Sequence, residues 1–512
     1  MWCMSGDPAT HLKTIQQINT IGYTTQDNIY PLMHIYVAEL SQILGVNLIQ
    51  LHKLIPLYFG LLYVVFMYLL AKSILPDKGQ AILASVSSCT LIQGSCLNFL
   101  PNILANLLLP MALFILVKAF TTQKIQWKTL IIIILLFYPP FHIVPSFALG
   151  IFFISLWIPK RVFTLINKDI QKDDSGIGNI DKFNVNLSLL LVVWGITWIS
   201  SFYRWRLNIL NLFSLIAKGG STHLSILVEN IIFARSYQFN VFENVLRKTG
   251  GILLYLVLSL VSIPLLWKEM LINKENNKLI SLYGPLLING LLIILFYFIN
   301  LGFSPLRMMY YIAVISTIFT GFLGYKIIEK IRVFNGVHLD KFALGLMVIL
   351  LVGIFLIGTL KTYPSPYIRS QSLQTTKTEV EGGRWFFNNR DMQIEISGIT
   401  FTPYRFADFL LDPEERKTQG SLPWSIWQNQ RAPPHFGYNN HFSLSELYLK
   451  DTYLLITEKD KSTFSDVYPE TTKDFWYPSD FERLESDYGL EKLYMNGEFD
   501  IWYINAHISE AQ

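Results

Sequence analysis

The sequence carries few charges and few cysteines for its length. Only 15% of its 512 residues are charged and 52% are hydrophobic, whereas a typical soluble domain is about one quarter charged. The three cysteines show no Cys-x-x-Cys spacing, so neither a disulfide framework nor a cysteine-bound metal is indicated. The His-Glu-x-x-His and Asp-x-Asp motifs are also absent, which argues against a metal-dependent hydrolase.

The sequence contains many long apolar runs. Runs near 20 residues can each cross about 30 Å of hydrocarbon, and they predict a mainly α polytopic bundle of about ten spans. The predicted spans are 54–75, 80–97, 101–120, 129–141, 143–158, 187–203, 250–267, 279–300, 306–326 and 342–361. Because Pro139 and Pro140 interrupt the fourth and fifth runs, these two runs are either complete spans or half-helices that meet at a bend.

Charge is distributed unevenly between two regions and between the two sets of loops. The residues after Pro364 carry 14 basic and 23 acidic side chains, whereas the preceding part carries 27 and 14. One alternating set of five connections holds 17 Lys and Arg, and the short connections of the other set hold none. The positive-inside rule therefore predicts a cell-membrane protein with its basic loops in the cytoplasm and both termini outside.

This topology predicts three segments. Residues 1–53 form an extracytoplasmic first loop with an amphipathic helix, residues 54–362 the membrane domain, and residues 363–512 an extracytoplasmic soluble domain. A polar segment outside the membrane with no signal sequence before it is unusual. We therefore expect that a first span is missing before Met1, either because the start is assigned too late or because the sequence is a fragment.

The C-terminal region is predicted to be an α/β domain. Strand-like runs occur at 393–396, 453–457 and 500–504, and helices are plausible at 376–390 and 479–488. Asn496-Gly497 lies between alternating residues, which is a strong hairpin signal. The tryptophans Trp385, Trp424, Trp427 and Trp476 either stack on a sugar ring or, by default, are buried.

Polar candidates for chemistry gather at the predicted outer face. Asp7 precedes Pro8, and His11 follows four residues later. Asp7 is either the cap of a helix that starts at Pro8 or a catalytic base or metal ligand. The Tyr30-Pro31-Leu32-Met33-His34 stretch leads into an amphipathic helix, and His34 is either an interfacial histidine or a group that faces the same cavity.

Two further candidates lie at the outer ends of spans. His142 either caps the Pro-Pro bend or lines the cavity, and capping is favoured. Arg307 either extends to the interface or pairs with a phosphate at the membrane surface, since a lone arginine inside a span is costly without a partner. In the long outer loop, Glu243 and Arg247 are predicted to form an ion pair along a helix.

The chain resembles the GT-C superfamily of membrane glycosyltransferases, particularly its prokaryotic and archaeal-type members. The likeness rests on the Asp7…His11 pair, the Tyr-Pro-x-x-His stretch, the segment from Asn98 to Asn106, the Pro-Pro-Phe-His bend, Arg307 and the outer C-terminal domain. The Trp-Trp-Asp signature of the oligosaccharyltransferase branch is absent, which favours transfer of a single sugar.

The resemblance implies transfer of a sugar from a polyprenyl-phosphate-linked donor to a glycan, lipid or protein acceptor at the outer face. Asp7 is then the expected catalytic carboxylate with His11 beside it, and Tyr30, His34, Asp27, Arg307 and His142 are the expected substrate-binding residues. A divalent metal, Mg²⁺ or Mn²⁺, stays open as a cofactor with Asp7 as its candidate ligand. Membrane lipids are expected partners, and nucleic acid is not.

Two other functions compete with this interpretation. A transporter or flippase of a lipid-linked or polar substrate would also use broken helices such as 129–158, although the spans hold few ionisable residues near the midplane. A non-catalytic cell-envelope assembly protein would use the outer domain to bind surface polymer.

Overall fold

The computed structural model describes most of the chain. The described residues are 3–4, 7–25, 28–92, 96, 98–122, 124–156, 177–203, 205–207, 210, 214, 222–273, 277–298, 307–335, 337–362, 364–372, 374–401, 403–419, 422, 426 and 430–506. They form two compact units. The C-terminal unit comprises Met1–Ile21, Asn47–Ile49 and Tyr363–Gln512, and the membrane unit comprises Gly22–Val46 and Gln50–Thr362.

Long apolar helices build the membrane unit. After α1 (Asp7–Ile21), its helices are α2 (Pro31–Leu44), α3 (Leu48–Ile74), α4 (Lys78–Cys89), α5 (Pro101–Leu107), α6 (Leu109–Thr122), α7 (Ile125–Phe141), α8 (Ile143–Ser155), α9 (Ile177–Ser200), α10 (His223–Ser236), α11 (Val241–Asn273), α12 (Asn277–Ser281), α13 (Tyr283–Phe298), α14 (Met308–Asn335) and α15 (Val337–Thr362). Six helical stretches of the described residues are long and apolar enough to cross a membrane, and three shorter apolar helices accompany them. The chain is a multi-pass membrane protein.

Nine of the ten predicted spans coincide with apolar helices of the described residues, six of them long enough to cross a membrane and three shorter. The largest difference concerns 80–97, where α4 ends at Cys89 after 12 residues. Small and hydroxylated residues shape this helix. Gly321 of α14 lies so close to the α4 backbone that a built Cβ would stand 2.6 Å from the Gln80 carbonyl oxygen, and this contact therefore requires glycine.

The Pro-Pro region forms two separate helices. Pro139 and Pro140 lie inside the last turn of α7, and the helix ends at Phe141. His142 is extended (φ −168°, ψ 130°), and α8 starts directly after it. With 17 and 13 residues, α7 and α8 are both shorter than the spans of full length. The Pro-Pro region is therefore a boundary between two separate helices, with His142 as the residue between them.

The C-terminal unit is an α/β domain, as predicted. After β1 (Cys3–Met4) and β2 (Gln374–Thr375) come α16 (Lys377–Asn389), β3 (Glu395–Gly398), α17 (Pro403–Leu410), α18 (Pro413–Thr418), β4 (Thr452–Thr457), α19 (Glu458–Ser462), α20 (Pro478–Arg483), β5 (Leu490–Met495) and β6 (Phe499–Ile504). The main sheet has the order β3-β4-β6-β5. Strand β3 is parallel to β4, and the other neighbours are antiparallel.

Local signals explain much of this domain. The predicted hairpin joins β5 to β6, and Gly497 has a φ of +89° in its turn, a conformation that glycine adopts readily. Thr376 and Glu379 form a capping box at the start of α16. The buried Trp476 packs in the core with Phe436 and Phe464, which confirms burial for this tryptophan. Trp424 and Trp427 lie outside the described residues.

The first helix of the chain belongs to this C-terminal unit. Strand β1 pairs with β2 in an antiparallel ribbon. Ala9 and Leu12 of α1 pack against Val380 and Phe409. Lys13 adds an ion pair with Asp412, with 2.7 Å between Nζ and Oδ1. By these contacts, residues 1–21 group with 363–512, whereas the predicted division at residues 53 and 362 stays a prediction.

Candidate functional site

One cavity of about 410 Å³ lies at one end of the membrane unit. Its walls come from the N-terminal halves of α5, α8, α11 and α14, from the residues that directly follow α4 and from the C-terminal part of α15. In the predicted topology all six of these helix ends lie at the outer face. The structure therefore gathers in one cavity the ends that the loop charges assign to one side, while the side itself stays a prediction.

The charged groups of this cavity are both cations. Arg307 directly precedes α14 and is exposed, and Lys248 lies in the first turns of α11. No described lining residue is acidic, and within the described part of the chain Arg307 forms no ion pair with a carboxylate. A cavity with two cations and no acidic lining residue is suited to bind an anion such as a phosphate.

The remaining lining combines apolar side chains with hydrogen-bonding groups. Leu91, Leu100, Ile103, Ile252, Ile354 and Ile357 form apolar walls. Tyr255 forms a hydrogen bond of 2.6 Å with Thr90 Oγ1, and Tyr311 donates to Asn106 Oδ1 at 3.1 Å. The side-chain oxygen of Asn102 is buried and has no hydrogen-bond partner among the described residues. Because an unsatisfied buried acceptor is costly, Asn102 favours a ligand that brings a hydroxyl or amide donor.

The structure brings Tyr30, His34 and His142 together, and none of the three is among the described lining residues of this cavity. The Asn28 side-chain oxygen lies 3.0 Å from His34 Nδ1 and accepts the Tyr30 N–H at 3.1 Å. The Tyr30 ring stacks on the His142 ring with centroids 4.4 Å apart. His34 is buried inside the membrane unit, so its side chain is not on the surface of that unit, where an interfacial histidine would lie. Asp27 lies outside the described residues.

His142 has the capping role that the sequence favoured. Its Nδ1 accepts the Val144 N–H at 3.2 Å and so caps α8. Val144 itself lines the cavity. His142 therefore fixes the start of a cavity-forming helix, and this role accounts for its position without a direct role in chemistry.

Asp7 and His11 lie on α1 of the C-terminal unit. The helix begins at Asp7, one residue before the predicted start, so the carboxylate stands in the first turn, where the helix dipole favours negative charge. Asp7 is exposed and His11 is half-buried. Their spacing places them on neighbouring turns of one face. The predicted site residues thus divide between the two units.

Sequence reasoning missed Lys248 and gave Asn102 no role of its own. Lys248 is the last basic residue before the apolar run 250–267, so it stands at the outer start of a predicted span, as Arg307 does. The criterion that identified Arg307, a cation at the start of an apolar run, therefore also applies to Lys248. The predicted pair of Glu243 and Arg247 is present, with an Arg247 Nη2 hydrogen bond to Glu243 Oε1.

A metal site cannot be assigned from side-chain clusters. Among the described residues, no group of three or more His, Cys, Asp or Glu side chains could hold a metal ion. The metal prediction at Asp7 therefore stays open.

Comparisons with known proteins show distant likeness in structure alone. No family model and no curated protein sequence matches the chain. An Archaeoglobus fulgidus oligosaccharyltransferase, solved in complex with Zn and sulfate, aligns over 99% of this chain and 70% of its own, with 13% identity and a TM-score of 0.49.

ArnT from Cupriavidus metallidurans aligns over 94% of its own length in two structures. Its apo state has 11% identity and a TM-score of 0.47, and its complex with undecaprenyl phosphate has 10% and 0.44. At these scores the likeness adds no residue-level information.

Proposed function

We propose that the chain is a membrane glycosyltransferase that takes a sugar from a polyprenyl-phosphate-linked donor and passes it to an acceptor at the extracytoplasmic face. The observation that carries the proposal is the cavity of the membrane unit. It combines two cations, Arg307 and Lys248, with apolar walls between helices. A phosphate attached to an isoprenoid chain has this same division between an anionic head and an apolar tail.

The two cations would act on the leaving group. When the bond between the anomeric carbon and the phosphate oxygen breaks, negative charge grows on the lipid phosphate. Arg307 and Lys248 would stabilise that charge, because cations placed where charge develops lower the barrier. Asn102, whose side-chain oxygen lacks a partner, would accept a hydrogen bond from a sugar hydroxyl.

Asp7 is the proposed base. The acceptor hydroxyl must lose its proton as it attacks the anomeric carbon, and a carboxylate within hydrogen-bond reach can take that proton. His11, one turn later on α1, would position the carboxylate or the acceptor. Tyr30, His34, Asp27 and His142 remain proposed substrate-side residues, with His142 acting through the start of α8.

The experiment is a transfer assay with the full chain in liposomes. Undecaprenyl- and dolichyl-phosphate-linked sugars are supplied, and release of the free lipid phosphate is followed together with acceptor labelling. Asp7→Asn is expected to reduce transfer about 100-fold or more, the usual contribution of a general base. Asp474→Asn, which changes an exposed aspartate of the same unit, is the matched control and should leave transfer unchanged.

Three results would contradict the proposal in different ways. Full transfer by Asp7→Asn would remove Asp7 as the base but keep the enzyme. No transfer from any supplied donor, together with movement of the lipid-linked sugar across the bilayer, would favour a flippase. Neither transfer nor movement would favour an assembly protein.

A further inference from the structure

A second cavity lies within the C-terminal unit. It measures about 540 Å³ and opens beside the edge strand β3. Its lining residues are Glu395, Ile396, Ser397, Gln430, Arg431, Pro433, Leu447, Tyr448, Leu449, Lys450 and Thr452. Nothing in the transfer chemistry proposed above uses these residues.

The hydroxyl groups of this cavity have a fixed hydrogen-bond direction. Ser397 Oγ donates to the Gln430 carbonyl oxygen at 2.8 Å, which uses its only proton. The Tyr448 hydroxyl lies 2.9 Å from Ser397 Oγ and must therefore donate to it. Burial raises the pKa of Tyr448 to about 12, so the phenol keeps its proton at neutral pH. The lone pairs of the Tyr448 oxygen remain for a ligand that donates.

Gln430 adds a group that lacks an internal partner. Its side-chain oxygen is buried and accepts no hydrogen bond from the described part of the chain, which is costly for a buried polar atom. Gln430 already lines the cavity, and rotation about its last side-chain torsion exchanges the positions of the amide oxygen and nitrogen. A ligand hydroxyl could satisfy either end of the amide, because a hydroxyl both donates and accepts.

The charged side chains around the cavity are either paired with each other or turned towards aromatic rings of the domain core. Glu395 and Lys450 form an ion pair at 3.6 Å between Oε1 and Nζ. The Arg431 guanidinium lies over the rings of Phe475 and Trp476, 4.9 and 4.8 Å from their centroids, where it makes cation–π contacts. Pro433, Leu447 and Leu449 provide apolar walls. The lining therefore suits an uncharged ligand with several hydroxyls and apolar C–H faces.

From this geometry we infer that the cavity beside β3 binds a neutral saccharide through Gln430 and Tyr448. An uncharged oligosaccharide supplies the donors that the Tyr448 oxygen and the Gln430 carboxamide need, and its ring faces match the apolar walls. This saccharide site goes beyond the transfer reaction proposed above and is independent of it. It would persist in a chain whose membrane cavity had been inactivated.

The test measures saccharide binding by the full chain in a detergent without a sugar headgroup. Neutral linear trisaccharides of glucose, mannose, galactose and N-acetylglucosamine are titrated by calorimetry. Tyr448→Phe and Gln430→Leu each remove a hydrogen-bonding group at nearly constant volume. Each is expected to weaken binding about 3- to 10-fold, the equivalent of one net hydrogen bond.

Matched controls separate binding from folding. Tyr488→Phe and Gln393→Leu make the same changes at exposed positions outside the cavity and should bind as the parent chain does. Thermal unfolding of all four variants verifies the fold. The proposal would be overturned if none of the trisaccharides bound saturably, or if only neutral peptides did. It would also be overturned if Tyr448→Phe and Gln430→Leu both bound a trisaccharide with the affinity of the parent chain. None of these outcomes depends on transferase activity.

Discussion

Buried serine and threonine hydroxyls in the described part of the membrane unit hydrogen-bond mostly to the preceding turn of their own helix. Ser88 donates to the Ser85 carbonyl at 2.7 Å, and Thr320 donates to the Ser316 carbonyl at 2.9 Å. The C-terminal unit instead pairs polar groups that are distant in sequence. Lys459 Nζ lies 2.9 Å from Glu379 Oε2, 80 positions away, and His435 Nδ1 lies 2.8 Å from Asp480 Oδ2.

This difference changes what a charged residue indicates in each unit. In a hydrocarbon environment a polar group is satisfied locally or is costly, so a cation that lines a cavity indicates a ligand. In the C-terminal unit the charges are parts of a folded network, and their presence says little about function. Arg307 is therefore the sharper functional candidate, while Asp460, for example, is an architectural residue.

The largest effect is expected from Arg307→Gln. Loss of one of the two cavity cations should weaken binding of undecaprenyl phosphate about 10- to 100-fold and reduce transfer by at least as much. Binding is measured with labelled lipid and transfer with the liposome assay. Arg247→Gln is the matched control, because Arg247 is paired with Glu243 and does not line the cavity. If Arg307→Gln bound the lipid as tightly as the parent chain does, a cavity-lining cation of the membrane unit would not indicate a ligand, and the inferred difference between the two units would be wrong.

The next effect concerns stability in the C-terminal unit. Asp460 Oδ1 accepts the Thr400 N–H at 2.8 Å, and Oδ2 accepts the Thr457 N–H at 2.6 Å and hydroxyl at 2.8 Å. Asp460→Asn would turn one acceptor into a donor facing these donors. We expect a loss of about 2–4 kcal/mol in unfolding free energy.

Denaturant unfolding of the full chain, followed by amide exchange at Thr400 and Thr457, measures this loss. Asp466→Asn changes an exposed aspartate nearby and should be nearly neutral. A neutral Asp460→Asn would show that this network is not what holds the strand-to-helix junction together.

Much of the fold could be predicted because its signals are local. The positions of the apolar runs, the Asn496-Gly497 hairpin and the break before His142 each depend on a few neighbouring residues. The helix α17 (Pro403–Leu410) was missed, and so was the pairing of β1 with β2, because the partners of each lie far away in the chain.

The candidate site was predictable to a smaller extent. Arg307 stood out because a charge beside an apolar run is rare. Lys248 was missed because it follows other polar residues in a long loop, and only the meeting of α11 with α14 gives it meaning. The contacts of α1 with Val380 and Phe409 could not be inferred, because the identity of apolar residues such as Ala9 and Leu12 does not specify which distant residues they pack against.

A smaller effect is expected at His142, where a local hydrogen bond in the membrane unit can be separated from chemistry. His142→Ala removes the cap of α8 and should lower stability by about 1 kcal/mol. His142→Asn keeps a cap and should recover most of that loss, although it cannot stack on Tyr30. Thermal unfolding and transfer are measured for both variants. If a stable His142→Asn chain had lost sugar transfer, the imidazole of His142 would instead have a direct role in the reaction.

The smallest effect is expected from a surface pair in the C-terminal unit. Hydrogen bonds from the Arg369 guanidinium lower the pKa of the Glu470 carboxyl, and Arg369 Nη1 lies 2.7 Å from Glu470 Oε2. Because the folded pKa lies below the unfolded value of about 4.3, the pair stabilises the fold fully above that pH. The contribution disappears as the pH falls through the folded pKa.

Since both side chains are partly exposed, Glu470→Gln should cost no more than about 0.5 kcal/mol at pH 7 and nothing at strongly acidic pH. Unfolding free energies across this range, with Glu482→Gln as control, test the sign. If the cost of Glu470→Gln instead grew as the pH falls, the pKa of Glu470 would not be lowered in the folded state, and the predicted sign would be wrong.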